Sequence, residues 1–164
     1  MSRKIQFCLN DRIVSAEVEE TEILSDTLRN HFGMIGLKEG CKTGDCGTCT
    51  VLLNGNAVRS CLILTCSIEG KNITTIEGLG DARHVHPIQQ AFIDAGAVQC
   101  GFCIPGMVLT AKALLDRNHY PSEEEIRVAL SGNLCRCTGY ENIFRAVKKT
   151  MLRRLGKNEE ADAV

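Results

Sequence analysis

The chain has 164 residues, 44% of them hydrophobic and 24% charged, with a net charge of -1, a balance ordinary for a globular protein. A pI near 6.4 gives no electrostatic footprint for nucleic acid. No stretch approaches the run of about 18 apolar residues that a membrane span requires.

From Arg3 to Glu77 the pattern predicts short strands. Ile5, Phe7 and Leu9 alternate, Asn10-Asp11 supplies a turn, and Val14, Ala16 and Val18 alternate again, so the chain opens with a hairpin that buries one face. Leu24, Leu28 and Phe32 share the face of a short helix that Gly33 is placed to end. Beyond a glycine-rich loop, Thr50–Leu53 and Ala57–Cys61 flank Asn54-Gly55, the strongest short hairpin signal there is. Ile73–Ile76 reads as a last strand. Strands with one helix make an α+β unit that carries its loop outside the sheet. We place this unit at 1–78 and a linker at 79–86, where periodicity stops.

The rest of the chain reads as helical. Pro87 suits the first position of a helix that runs to about Ala95, with Gly96 beyond its end. Met107, Val108, Ala111, Leu114 and Leu115 form the stripe of a second helix, entered through Pro105-Gly106. Ser122 and Glu125 make a capping box for a third helix that stops at Gly132; Thr138 and Glu141 predict another for a fourth, with Ile143, Val147 and Met151 on one face. Four short helices over 87–155 predict a small bundle, with a frayed tail at 156–164.

Ten cysteines are the unusual feature of the composition. The N-terminus, Met1 to Cys8, lacks the charged, apolar and small-residue order of a secretion signal, so reduced thiols in the cytoplasm are expected rather than disulfides. Cys41-x4-Cys46-x2-Cys49 followed by Cys61 has the spacing that wraps a [2Fe-2S] cluster of the plant ferredoxin type. Four thiolates around two bridged irons leave no open position for a substrate, so the site is suited to one-electron transfer. Gly40, Gly44 and Gly47 flank the ligands and let the backbone curl around the metal with N–H groups turned toward sulfur. A four-cysteine zinc knuckle is the competing reading, but its signature pairs two short Cys units across a spacer, which this set does not.

The second set, Cys100-x2-Cys103 and Cys135-x-Cys137, stands just before the second and fourth predicted helices. Helix N-termini offer free N–H groups and a positive dipole end to an anionic centre. One-residue spacing is uncommon for zinc, which favours a second cluster, although by spacing alone this set is less specific than the first.

Three segments, Glu39 to Cys49, Gln99 to Gly106 and Gly132 to Tyr140, together resemble the small iron-sulfur subunit of the molybdenum hydroxylase family, which includes xanthine dehydrogenase, aldehyde oxidoreductase, nicotinate dehydrogenase and aerobic carbon monoxide dehydrogenase. The resemblance spans nearly the whole chain. It implies a β-grasp ferredoxin-like domain followed by a four-helix domain, each holding one [2Fe-2S] cluster. It also implies that Cys41, Cys46, Cys49 and Cys61 hold the cluster toward a flavin, and that Cys100, Cys103, Cys135 and Cys137 hold the cluster toward a molybdopterin-type cofactor. Gln99 and Cys137 are then the residues nearest the pterin. The implied assembly is a hetero-oligomer with a large molybdenum-cofactor subunit and a medium FAD subunit, a dimer of heterotrimers being one arrangement open to it. Electrons leave the molybdenum site singly through the two clusters to FAD, and this chain carries no catalytic acid, base or nucleophile of its own. A free-standing diffusible ferredoxin is the alternative. Ile104 departs from the pattern, since many relatives carry a small hydroxyl residue there.

The remaining candidates have plainer readings. Cys8 and Cys66 belong to neither set and read as small buried hydrophobes. His84 and His86 read as an exposed loop pair, and His31 and His119 lack a ligand context. Lys42 and Arg136, lying between cysteines, either offset cluster charge or are simply solvated.

Overall fold

The computed structural model describes residues 1–156. Strands β1 (Ser2–Leu9) and β2 (Arg12–Glu19) pair antiparallel with Phe7 opposite Val14, and Asn10 and Asp11 both take positive φ in the turn between them. Helix α1 (Leu24–Asn30) follows. Strands β3 (Thr50–Leu53) and β4 (Asn56–Arg59) form the second hairpin around Asn54 and Gly55, also at positive φ. Strand β5 (Asn72–Thr74) slots between the hairpins, parallel to β1 and antiparallel to β3, giving the order β2-β1-β5-β3-β4. This is the expected α+β, β-grasp ferredoxin-like unit.

Alternation in β1 and β2 sends Ile5, Phe7, Leu9, Ala16 and Val18 onto Leu24, Leu28, Ile68 and Ile73, which together form one apolar core. Burying each such large side chain favours folding by about 1.5–3 kcal/mol. Phe7 meets Phe32 edge-on at 5.6 Å between ring centroids. The last strand is shorter than predicted: after Thr74 the chain turns into a 3-10 segment, Ile76–Gly78.

A second core is built by helices α2 (Pro87–Asp94), α3 (Ile104–Arg117), α4 (Glu123–Leu130) and α5 (Glu141–Arg154). Helix α2 packs on α3 and α5, and α4 packs on the same two, so the four close a ring. Ser122 and Glu125 form the predicted capping box of α4. The predicted box of α5 does not form. Its N-cap is Tyr140 in the left-handed region, because the Thr138 hydroxyl is turned to Cys135 Sγ at 3.1 Å instead. The exposed-loop reading of His86 is likewise corrected: it is half-buried, its Nδ1 accepts from the Ile88 N–H at 3.2 Å, and it caps α2 with Gln89. The expected tail lies, beyond Gly156, outside the described residues. Among the described residues no helix is long and apolar enough to cross a membrane.

Candidate metal centres

The first cysteine loop runs from Glu39 to the start of β3, and Cys61 returns to it in a 3-10 turn, Ser60–Leu62, after β4. Gly44 and Gly47 take φ of +89° and +69°, conformations open to glycine, and so fold the loop over its own thiols. Backbone N–H groups of Thr43 and Cys46 both lie 3.4 Å from Cys41 Sγ. The Thr48 hydroxyl sits 3.2 Å from Cys46 Sγ while accepting from the Gly40 N–H, which ties the two ends of the loop. Lys42 turns away from the thiols to reach Asp26 at 2.7 Å and Glu39 at 3.3 Å, so its charge is already paired.

The second set is assembled by two loops. Cys103 is the residue before α3 and is buried, whereas Cys100 and the neighbouring Gln99 are exposed. Cys135 and Cys137 lie in the loop before α5, and the N–H and hydroxyl that reach Cys135 Sγ belong to Thr138, not to the helix start. Tyr140 closes this loop: its hydroxyl accepts from the Cys135 N–H at 2.8 Å and donates to the Asn133 carbonyl at 3.0 Å. Ile104 opens α3 with its side chain against the helical core, and no side chain caps that helix. Arg136 is exposed.

In both sites the thiols meet in pairs. Cys100 and Cys137 are 3.6 Å apart at sulfur, Cys103 neighbours Cys135, Cys49 neighbours Cys61, and Cys41 neighbours Cys46. Among the described residues no three metal-binding side chains close on a single point as one ion would require. Paired donors fit a two-iron cluster, in which each iron takes two thiolates.

The protonation pattern agrees. The Thr43 hydroxyl, followed by the N–H groups of Cys46 and Thr43, holds the Cys41 thiol down to about 6. Burial, then Cys49, pushes Cys61 up to about 11; burial, then Cys135, pushes Cys103 up to about 12. Cys137 is raised by Cys100 and then by burial, and for Cys135 the burial that opposes ionisation is outweighed by the hydroxyl and N–H of Thr138. Ionising every thiol of a set concentrates negative charge that a cation relieves, so both sites fit a metal centre whose binding releases protons.

Family models match in the same two parts. One described as a 2Fe-2S iron-sulfur cluster binding domain covers residues 8–74, and one described as a [2Fe-2S] binding domain covers 75–148. The chain is 50% identical over 144 residues to the nicotinate dehydrogenase small FeS subunit of Eubacterium barkeri, a match covering 88% of this chain and 92% of that one. The chain belongs to the iron-sulfur subunits of the molybdenum hydroxylases. Solved structures of this family superpose closely. Quinoline 2-oxidoreductase from Pseudomonas putida 86 has a TM-score of 0.88 at 41% identity, covering 96% of this chain and 99% of that one. The aldehyde oxidoreductase of Desulfovibrio gigas gives 0.92 at 40% identity over 98% of this chain, which matches 18% of that longer polypeptide. As an iron-sulfur subunit of a molybdenum hydroxylase, the chain serves electron transfer within an oxidoreductase complex.

The eight cysteines that spacing sorts into two sets lie together in two places. Sequence reasoning missed Thr48, Thr138, Asn133 and Tyr140, whose roles depend on how each loop closes; only their position beside the cysteines marked them.

Proposed function

We propose that Cys41, Cys46, Cys49 and Cys61 hold one [2Fe-2S] cluster and that Cys100, Cys103, Cys135 and Cys137 hold the other, in units 1–78 and 87–155 joined by 79–86. When bound, these clusters supply storage of single electrons. The protein's own contribution is to hold eight thiolates in pairs, to turn N–H and hydroxyl groups toward Cys41 and Cys135, and to keep Cys49, Cys61 and Cys103 from water. Partners are a large subunit with a molybdopterin-type cofactor and a medium FAD subunit, and the electrons pass from the former toward the latter.

The observation that carries this reading is the pairing of the thiols together with their uneven exposure. Cys100 and Cys137 are exposed, as are Gln99 and Phe102 flanking Cys100 in sequence, a partly apolar surface suited to a permanent partner near the pterin end. Exposed Leu62 and Leu64 beside Cys61 give the first site a similar surface on the flavin side.

Cysteine variants test the assignment. Cys46→Ser should remove the paramagnetic signal of the first cluster and spare the second, and Cys135→Ser should do the reverse. Loss of both signals in each variant would break the division into two sites. Purification tests the partners: the native protein should leave the column with two larger polypeptides, and migration alone at 17.9 kDa with both clusters intact would sink the subunit arrangement.

A further inference from the structure

The loops that carry the two cysteine sets meet at one buried side chain. Asn133 is 4% exposed, and each polar atom of its amide is used. Oδ1 accepts from the Thr110 hydroxyl on α3 at 2.9 Å, while Nδ2 donates to the Gly47 carbonyl at 2.9 Å and to the Thr50 hydroxyl at 3.2 Å. The amide therefore joins three elements that belong to both cores: the first cysteine loop, β3 and α3.

The surrounding contacts leave no slack. A Cβ on Gly47 would collide with the Gly132 carbonyl, and one on Gly106 would stand 2.5 Å from the Gly47 carbonyl. Arg59 reaches across to the Gly132 carbonyl at 3.0 Å. Directly after Asn133, the Leu134 N–H donates to the Cys46 carbonyl at 2.8 Å, so a ligand candidate of one site is one hydrogen bond and one residue from Cys135 of the other. A buried amide with each polar atom used favours one arrangement over sliding alternatives, because a shift strands its donor or acceptor.

From this geometry we infer that Asn133 is a positioning residue that fixes the separation and relative orientation of the two iron-sulfur sites. Without its amide the two cores keep their own hydrophobic packing and the Leu134 and Arg59 bonds, but lose the side-chain bonds that register the first loop and α3 on each other. The inference rests on the assignment of both cysteine sets to clusters.

The test uses the whole complex, reduced under anaerobic conditions, with wild-type compared with Asn133→Leu and Thr110→Val. The readout is the magnetic interaction between the two reduced clusters, seen as line splitting or as faster spin relaxation, which depends steeply on distance and orientation. Asn133→Leu should retain both signals and the wild-type iron and acid-labile sulfide content while the interaction weakens or is lost. Thr110→Val, which removes one of the bonds, should change it in the same direction to a smaller extent, and carries the test if Asn133→Leu does not fold. Full cluster content with an unaltered interaction in the variant that folds would overturn the inference alone. Wild-type protein without two clusters would overturn it together with the cluster assignment.

Discussion

Gly47 is the residue on which most constraints converge. It sits at φ +69° between two cysteines, and its missing Cβ is where the Gly132 carbonyl lies. Gly55 also has positive φ, +81°, but faces open space. Gly55→Ala should therefore cost about 1–2 kcal/mol of backbone strain, whereas Gly47→Ala should cost more and lower the iron content of the first site. Calorimetry beside iron analysis checks the pair; equal losses in both would show that the close approach at Gly47 is unimportant. His86 adds a pH response. Burial first, then the charges of Lys112 and Arg154, lower its pKa below 6.5, with Asp116 opposing. The folded state thus favours the neutral ring that caps α2, and the unfolded chain takes up the proton first as pH falls. Stability from this group is complete above about pH 6.5 and declines on acidification through the lowered value. In denaturation series from pH 7.5 to 5, His86→Asn should lack that part of the acid loss; an unchanged slope would remove His86 as its source.

Local signals in the sequence decided the elements, and they were readable where periodicity or a turn pair acts within a few residues. The two hairpins, the box at Ser122 and Glu125, and the stripe of α3 are of that kind. Ser122→Ala should cost α4 about 1 kcal/mol, measurable as a shift of the denaturation midpoint. Thr138 and Glu141 had the same spacing as that box yet form no cap, since a nearby sulfur competes for the hydroxyl and Tyr140 enters α5 at φ +70°. Spacing cannot register such competition, because it depends on a loop closed by Tyr140. Tyr140→Phe removes the hydroxyl that serves both the Cys135 N–H and the Asn133 carbonyl. The loss should be about 1–3 kcal/mol for the stranded groups and should appear as faster loss of the second cluster on heating, with the first unaffected.

At the scale of the whole molecule, two apolar cores are held together by a polar joint, and each core presents one set of paired thiols. Eight cysteines were legible as two sets because ligand spacing is a local property; the way the sets are registered on each other was not, because Asn133 acts across 86 residues of sequence. The same fold stands as a chain of nearly this length in quinoline 2-oxidoreductase and as 18% of the longer aldehyde oxidoreductase polypeptide of Desulfovibrio gigas. The most direct measurement is the iron and acid-labile sulfide content of anaerobically purified protein, taken with the spectrum of its reduced form. Equal iron and sulfide, sufficient for two [2Fe-2S] clusters per chain, with two distinct paramagnetic signals, is the expected result. Stoichiometric zinc with no acid-labile sulfide would contradict it.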